Sequence, residues 1–400
     1  MLGTLAFFAA LLTVAGMIQA LLGGWAVRQF TKTPAPRPAA RPGVTILKPL
    51  YGNEPLLEAA LASVCDQRYP IFQVVFGVQD PEDAALPVLE RLKARFPTVD
   101  IAVVVDPRAH GRNRKIGNLI NMLPAAKHDV LVIADSDVHC APDYLEQISR
   151  TLAIPGTGLV TTLYAGLSAT STLAGKLGAA WVNHSFLPGA LMARWLGRQD
   201  TLGATMALRR ETLTAIGGLA MLADHIADDH ILGKLVQGEN LAVRLAATVV
   251  ATTVPETRIA ALYRHELRWA RTILALVPVE FVLSAIQYPL FWALFAVLMT
   301  AADPWAVILL VLTWICRAKV AQSIDTRLGL VQTKLATPAS IWLLPIRDTL
   351  SMVEMFASGL SDQVEWRGRV MHTGRDAANP EPDPIRTRAA TRSGRGASTT

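Results

Sequence analysis

The stretch VLVIADSDVHC, Val130 to Cys140, decides the fold. The apolar run Val130 to Ala134 leads straight into Asp135, Ser136 and Asp137, with no Gly or Pro between. A short apolar run bounded by polar residues reads as a buried strand. Two carboxylates so close repel each other, and desolvating either one is costly unless a cation or hydrogen-bond donors compensate. One reading is a polar loop beginning at Asp135, because Asp and Ser are common turn formers. The other is an acid pair at the carboxyl end of a strand, holding Mg²⁺ or Mn²⁺ beside a substrate phosphate.

Outward from this stretch, from Gly43 to about Arg271, strand-like and helix-like pieces alternate. VTILKPL, FQVVFGVQD, DIAVVVD and DVLVIADSD read as strands; EPLLEAALASVCDQ, DAALPVLERLKARFP, NRKIGNLINML and PDYLEQISRTL read as helices. The order predicts an α/β fold, a mostly parallel sheet with helices on both faces. Ligands of such sheets bind beyond the carboxyl ends of the strands. Asp80, which ends FQVVFGVQD, shares that placement with Asp135 and Asp137. Neither GxGxxG nor GxxxxGK[ST] is present, which argues against dinucleotide binding and P-loop hydrolysis. A strand-ending acid pair carrying a metal on a diphosphate is the remaining common solution, and it suits a nucleotide-sugar enzyme.

Composition adds a membrane. The 400 residues are 52% hydrophobic, with positive mean hydropathy, too apolar for an ordinary soluble enzyme. Residues 1–27 carry no charge and are long enough to span a bilayer; a cleaved signal peptide would have a basic start and a shorter core. Residues 28–42 read as a stiff basic linker, with Arg28, Lys32, Arg37, Arg41 and, just beyond, Lys48 interleaved with prolines. The positive-inside rule keeps this side cytoplasmic, placing the globular middle on the cytoplasmic face of a bacterial-type inner membrane. Membrane segments are expected again over 278–360: Pro278–Ala302 and Pro304–Ile315 as a hairpin stopped by Arg317 and Lys319, then Pro338–Leu360. Arg347 and Asp348 make that last segment a poor lipid-exposed span, so it is re-entrant, interfacial or packed against other helices. Residues 361–400 read as a polar, largely disordered tail. Three cysteines without CxxC spacing suit a reducing compartment. The net charge of +6 fits anionic headgroups and a phosphorylated substrate; no aromatic-interleaved basic stripe points to nucleic acid.

The motifs ILKPLYGNEP, FGVQDPED, GRNRKIGNLINM, ADSDVHCAPDYL, GATMALRRETLTAIGG, IADDHILGKLV and HELRWART, in this order, resemble the ceramide glucosyltransferase family of GT-A glycosyltransferases. Within it they look most like the hopanoid-biosynthesis-associated branch. The resemblance covers residues 43–271, with membrane segments in the expected flanks. It implies a UDP-sugar donor (glucose or N-acetylglucosamine), a divalent metal, and a lipid hydroxyl acceptor, hopanoid or ceramide. By the family pattern Asp80 touches uracil or ribose, Asp137 reaches the metal, and Asp135 contacts ribose or the metal through water. Glu82 and Asp83 read as solvated loop carboxylates.

Asp229 is the implied base, taking the acceptor hydroxyl's proton. Its neighbour Asp228 is the other candidate, and its charge would raise the Asp229 pKa. HELRW resembles the family's (Q/R)xxRW, with His265 in place of Gln or Arg. Arg268 would pair with the diphosphate and Trp269 would stack near the acceptor. Lys115 and Asn118 are candidate donor contacts; Gly203, Thr205, Met206 and His230 are candidates for the sugar pocket. His225 and His230 are wrongly spaced to share a helix face, which disfavours a second metal site. A processive polysaccharide synthase would need more spanning helices. A non-catalytic nucleotide-binding membrane protein would not need the base.

Overall fold

The computed structural model describes residues 2–37, 40–329, 336–361, 363–366 and 369–372. Its first helix, α1 (Leu2–Lys32), is followed by the expected alternation: β1 (Val44–Pro49), α2 (Leu57–Cys65), β2 (Phe72–Val78), α3 (Leu86–Arg95), β3 (Asp100–Val105), α4 (Arg114–Met122), β4 (Val130–Ala134), β5 (Val138–His139) and α5 (Tyr144–Leu152). Strands β3, β2, β1 and β4 lie side by side in parallel. Helices cover both faces, so alternate residues serve two separate cores. Ile46, Phe76 and Val132 face one; Leu47, Val75 and Ile133 face the other.

The chain continues as β6 (Thr157–Ser168), α6 (Leu173–Trp181), a π-helical turn at Val182–Phe186, and α7 (Leu187–Trp195). Next come β7 (Thr205–Arg209), α8 (Arg210–Ala215), α9 (Asp228–Gly238), β8 (Ala242–Val254) and α10 (Ile259–Leu276). The sheet extends as β4-β7-β6-β8-β5. Because β7 runs antiparallel to β4, with Thr205 opposite Ala134, the start of β7 meets the acid-bearing end of β4. The Asp135 amide donates to the Ala204 carbonyl at 3.3 Å.

The membrane part comprises α1, α11 (Pro278–Leu283), α12 (Pro289–Met299), α13 (Pro304–Arg327) and α14 (Leu344–Ser358). Among the described residues, α1 and α13 are long and apolar enough to cross a bilayer. The expected span at Pro278–Ala302 is broken: its two halves meet at 67°. There α1 approaches so closely that a Cβ on Gly16 would collide with the Ile286 carbonyl oxygen. Nor does α13 stop at Arg317. It runs on to Arg327, because Arg317 is buried against Asp348 at 3.0 Å rather than turned to lipid.

Three boundaries differ from the sequence reading. The helix α1 takes in the first residues of the expected linker. Lys48 is not a linker charge but a fully buried residue of β1, and Arg41 is tied to Glu146 at 2.7 Å. Within the expected tail, β9 (Gln363–Trp366) and β10 (Arg369–His372) pair antiparallel; residues 373–400 lie outside the described residues.

Candidate active site

The crevice at the carboxyl ends of β1 and β4 opens into a cavity of about 980 Å³ that runs to the membrane helices. Asp135, Asp137, Asp228 and Asp229 line its polar end; Ile273, Leu276 and Phe281 line its membrane end. Asp135 follows β4 directly and is bound by the Lys115 ammonium at 2.7 Å. Asp137 sits between β4 and β5 and accepts a short hydrogen bond from the Thr252 hydroxyl of β8. Burial, reinforced by repulsion from Asp135, pushes the Asp137 carboxyl up to about 6. Behind the pair Lys48 donates to the Val138 carbonyl at 2.9 Å, its own pKa lowered by burial.

Both acids of IADDH fall in the first turn of α9, where the helix dipole favours negative charge. They divide the work. Asp228 is buried and held by Asn113 Nδ2 at 3.3 Å and Lys115 at 3.4 Å. Asp229 faces the cavity across Gly203, where an added Cβ would lie 3.0 Å from its Oδ2. Its hydrogen-bond donor is the backbone amide of His230 at 2.7 Å. Burial, then repulsion from Asp228, raises Asp229 to about 6. Burial would depress the Lys115 ammonium, but Asp135 and Asp228 outweigh it and hold its pKa above normal. His230 lines the cavity, its pKa lowered by burial and then by Lys234.

On the opposite wall, α10 carries His265, Arg268 and Trp269 into the cavity. His265 Nδ1 meets Glu256 Oε1 at 2.5 Å, and its ring lies 4.4 Å from that of Trp269. Trp269 stacks on Trp181 at 5.3 Å, and the row continues through Phe186 to Tyr164.

Other expected residues sit elsewhere. Asp80 is exposed, its Oδ1 accepting the Glu82 amide at 2.9 Å, and the cavity wall at this point is Gln79. Asp83 is buried rather than solvated, its carboxylate fastening the Gly52 amide at 2.9 Å. Asn118 reaches the cavity wall; its Nδ2 donates to the Gly77 carbonyl at 2.8 Å, while its buried Oδ1 has no partner among the described residues. Thr205 and Met206 are fully buried in the sheet, because β7 is an interior strand; Gly203 and Ala204, just before it, form the wall. Sequence reasoning passed over Trp181, Thr252, Glu256 and Glu54. Glu54 was legible as the acid of ILKPLYGNEP, the motif that leads out of β1, and it accepts the Ser136 hydroxyl at 2.6 Å.

The donor set suits a divalent cation. Asp135 and Asp137 offer hard carboxylate oxygens at the cavity's polar end, the kind of ligand a divalent cation takes. Among the described residues no three His, Cys, Asp or Glu side chains converge to hold a metal alone. A cation here would draw its remaining ligands from a substrate diphosphate, as Mg²⁺ commonly does.

An acid-ended strand facing a second carboxylate, on a sheet of this topology with membrane helices at its mouth, defines a GT-A-type glycosyltransferase fold. A mannosyltransferase from Pyrobaculum calidifontis, solved in complex with GDP-Man and Mn²⁺, superposes with a TM-score of 0.52 at 20% identity, covering 88% of this chain and 99% of that one. The model of Glycosyl transferase family 21 matches residues 8–378, and the chain belongs to that family. Ceramide glucosyltransferase 1 of Caenorhabditis elegans is 20% identical over 246 residues, 62% of this chain and 53% of that protein. The ceramide glucosyltransferase of Komagataella phaffii is 34% identical over 140 residues, 34% of this chain and 28% of that protein. The aligned region spans about half or less of these curated relatives. The expected ceramide-glucosyltransferase-like GT-A family is thereby borne out.

Proposed function

We propose that this protein is a membrane-bound inverting hexosyltransferase that moves one sugar from a nucleoside diphosphate donor to a lipid hydroxyl. The observation that carries the reading is Asp229, a cavity-facing carboxylate with a raised pKa, set across a single cavity from the Asp135/Asp137 pair. Asp229 takes the acceptor hydroxyl's proton as that oxygen attacks the anomeric carbon. One displacement turns an α-linked donor into a β-glycoside. Asn113 and Lys115 anchor the first turn of α9 through Asp228, the His230 amide orients the base, and Arg268 faces the departing diphosphate. A divalent cation on Asp135 and Asp137 would supply charge neutralisation for that diphosphate. The cavity's apolar end, bounded by α10 and α11, suits an acceptor whose tail stays in the bilayer.

UDP is the donor nucleotide this reading favours. The relatives weigh toward glucose and ceramide; a hopanoid polyol with N-acetylglucosamine is the other pairing, since it too presents a hydroxyl at the interface. The basic residues after α1 favour the cytoplasmic face. The test supplies radiolabelled UDP-glucose, UDP-N-acetylglucosamine or GDP-mannose to membranes containing the protein, with ceramide or a hopanoid polyol, with and without chelator. A chelator-sensitive labelled lipid from one UDP-sugar, lost in Asp229→Asn, is expected. Label only from GDP-mannose would overturn the donor, and label insensitive to Asp229→Asn would overturn the base.

A further inference from the structure

Arg347 and Asp348 are neighbours on α14, yet their side chains leave in opposite directions. Asp348 turns into the membrane helices: Oδ1 accepts from Arg317 Nη2 of α13 at 3.0 Å, and Oδ2 accepts the Leu290 amide of α12 at 3.1 Å. Arg347 turns toward the transferase domain. Its Nη1 meets Glu266 Oε2 of α10 at 2.8 Å and donates to the Leu177 carbonyl of α6 at 3.4 Å. Its Nη2 binds Glu354 Oε2 and Ser351 Oγ, both at 3.0 Å, which fixes the guanidinium against its own helix. The side chain is 1% exposed, so these partners stand in for water.

The two helices reached from α14 are those that build the aromatic wall of the cavity. Glu266 lies between His265 and Arg268 on α10, and Leu177 lies one turn before Trp181 on α6. A planar guanidinium can satisfy partners on three helices at once, whereas an ammonium cannot reproduce that fork. We propose that Arg347 is a positioning residue of the transferase site. It holds α10 and α6 in the register that stacks Trp269 on Trp181 and turns His265 and Arg268 into the cavity. The assignment of α10 to the donor side rests on the functional reading above; the link from Arg347 to the tryptophan stack does not.

Arg347→Lys keeps the buried charge and removes the fork; Asp348→Asn damages the same helix on its other side and serves as the control. Full-length protein in detergent is followed by near-UV circular dichroism, with Trp269→Phe defining the signal of the Trp181–Trp269 pair, and by turnover and thermal unfolding. Arg347→Lys is expected to lose most of the stack signal and about ten-fold in turnover, the scale of a small misplacement of reacting groups. Asp348→Asn is expected to lower the melting temperature while keeping the stack signal, with turnover per folded molecule within about two-fold. Arg347→Lys and Trp269→Phe should combine less than additively in turnover, because one acts through the other. A wild-type stack signal in Arg347→Lys, or equal loss of it in Asp348→Asn, would overturn the proposal. If the wild type transfers no sugar, the functional reading falls while the stack signal still decides the role of Arg347.

Discussion

The molecule buries charge in two places and treats it differently. Around α14 the buried acids meet guanidinium groups: Asp348 has Arg317, and Glu266 and Glu354 share Arg347. In the crevice, among the described residues, Asp137 is met by a hydroxyl and Asp229 by a backbone amide rather than by a guanidinium or ammonium. Compensated charge behaves as structure, since breaking such a pair leaves an uncompensated ion in an apolar setting. Charge held without full compensation is what a site keeps for a cation and a proton it expects to meet. A carboxylate in the membrane helices and one in the crevice are therefore expected to fail in different ways.

The sharpest way to break this contrast is Asp229→Asn. It should cost about 10²–10⁴-fold in turnover, the usual worth of general base catalysis, with donor affinity within a few-fold. Calorimetric UDP-sugar binding beside a transfer assay reads both, and an equal loss in each would remove Asp229 from the base role. Asp137→Ala should abolish both transfer and the response to added Mg²⁺ or Mn²⁺; an active variant that still depends on metal would refute its place at the cation.

On the compensated side, Arg317→Met should cost roughly 3–5 kcal/mol of stability by stranding Asp348. It should spare turnover per folded molecule, read by thermal unfolding alongside activity. The pH profile comes next. Because Asp229 must be ionised to accept a proton, transfer should fall about ten-fold per pH unit below about 6. The stability sign is opposite: a carboxyl raised from 3.8 binds its proton more tightly when folded, so its contribution is lost as pH rises from 3.8 toward 6. Smallest is Gly203→Ala, whose Cβ would press the Asp229 carboxylate at 3.0 Å. A several-fold loss in turnover with unchanged melting temperature is expected.

The parallel sheet was legible because strands buried on both faces are continuous apolar runs, and acids ending such runs are conspicuous. The doubled acid of IADDH was conspicuous too, at the head of an apolar helical run. Which member of the pair is tied down depends on Lys115 and Asn113, far away in the chain, and no local pattern encodes that. Asp80 illustrates the converse: it ends a strand as Asp135 does, yet its carboxylate closes its own turn. Thr205 and Met206 share a motif with Gly203, but the antiparallel insertion of β7 between β4 and β6 buries them and leaves the glycine at the wall.

By itself the sequence determined the α/β order, the position of the acid pair, the apolar segments and the presence of misfit charges near residue 347. Those are properties of neighbours along the chain: hydrophobic period, strand length, and charge set in an apolar run. Only the tertiary structure decided that α13 continues past Arg317, that the span after Pro278 is broken, and that Arg347 and Asp348 face opposite partners. The energy of a buried charge is set by what lies within about 3–4 Å of it, and those partners come from other helices.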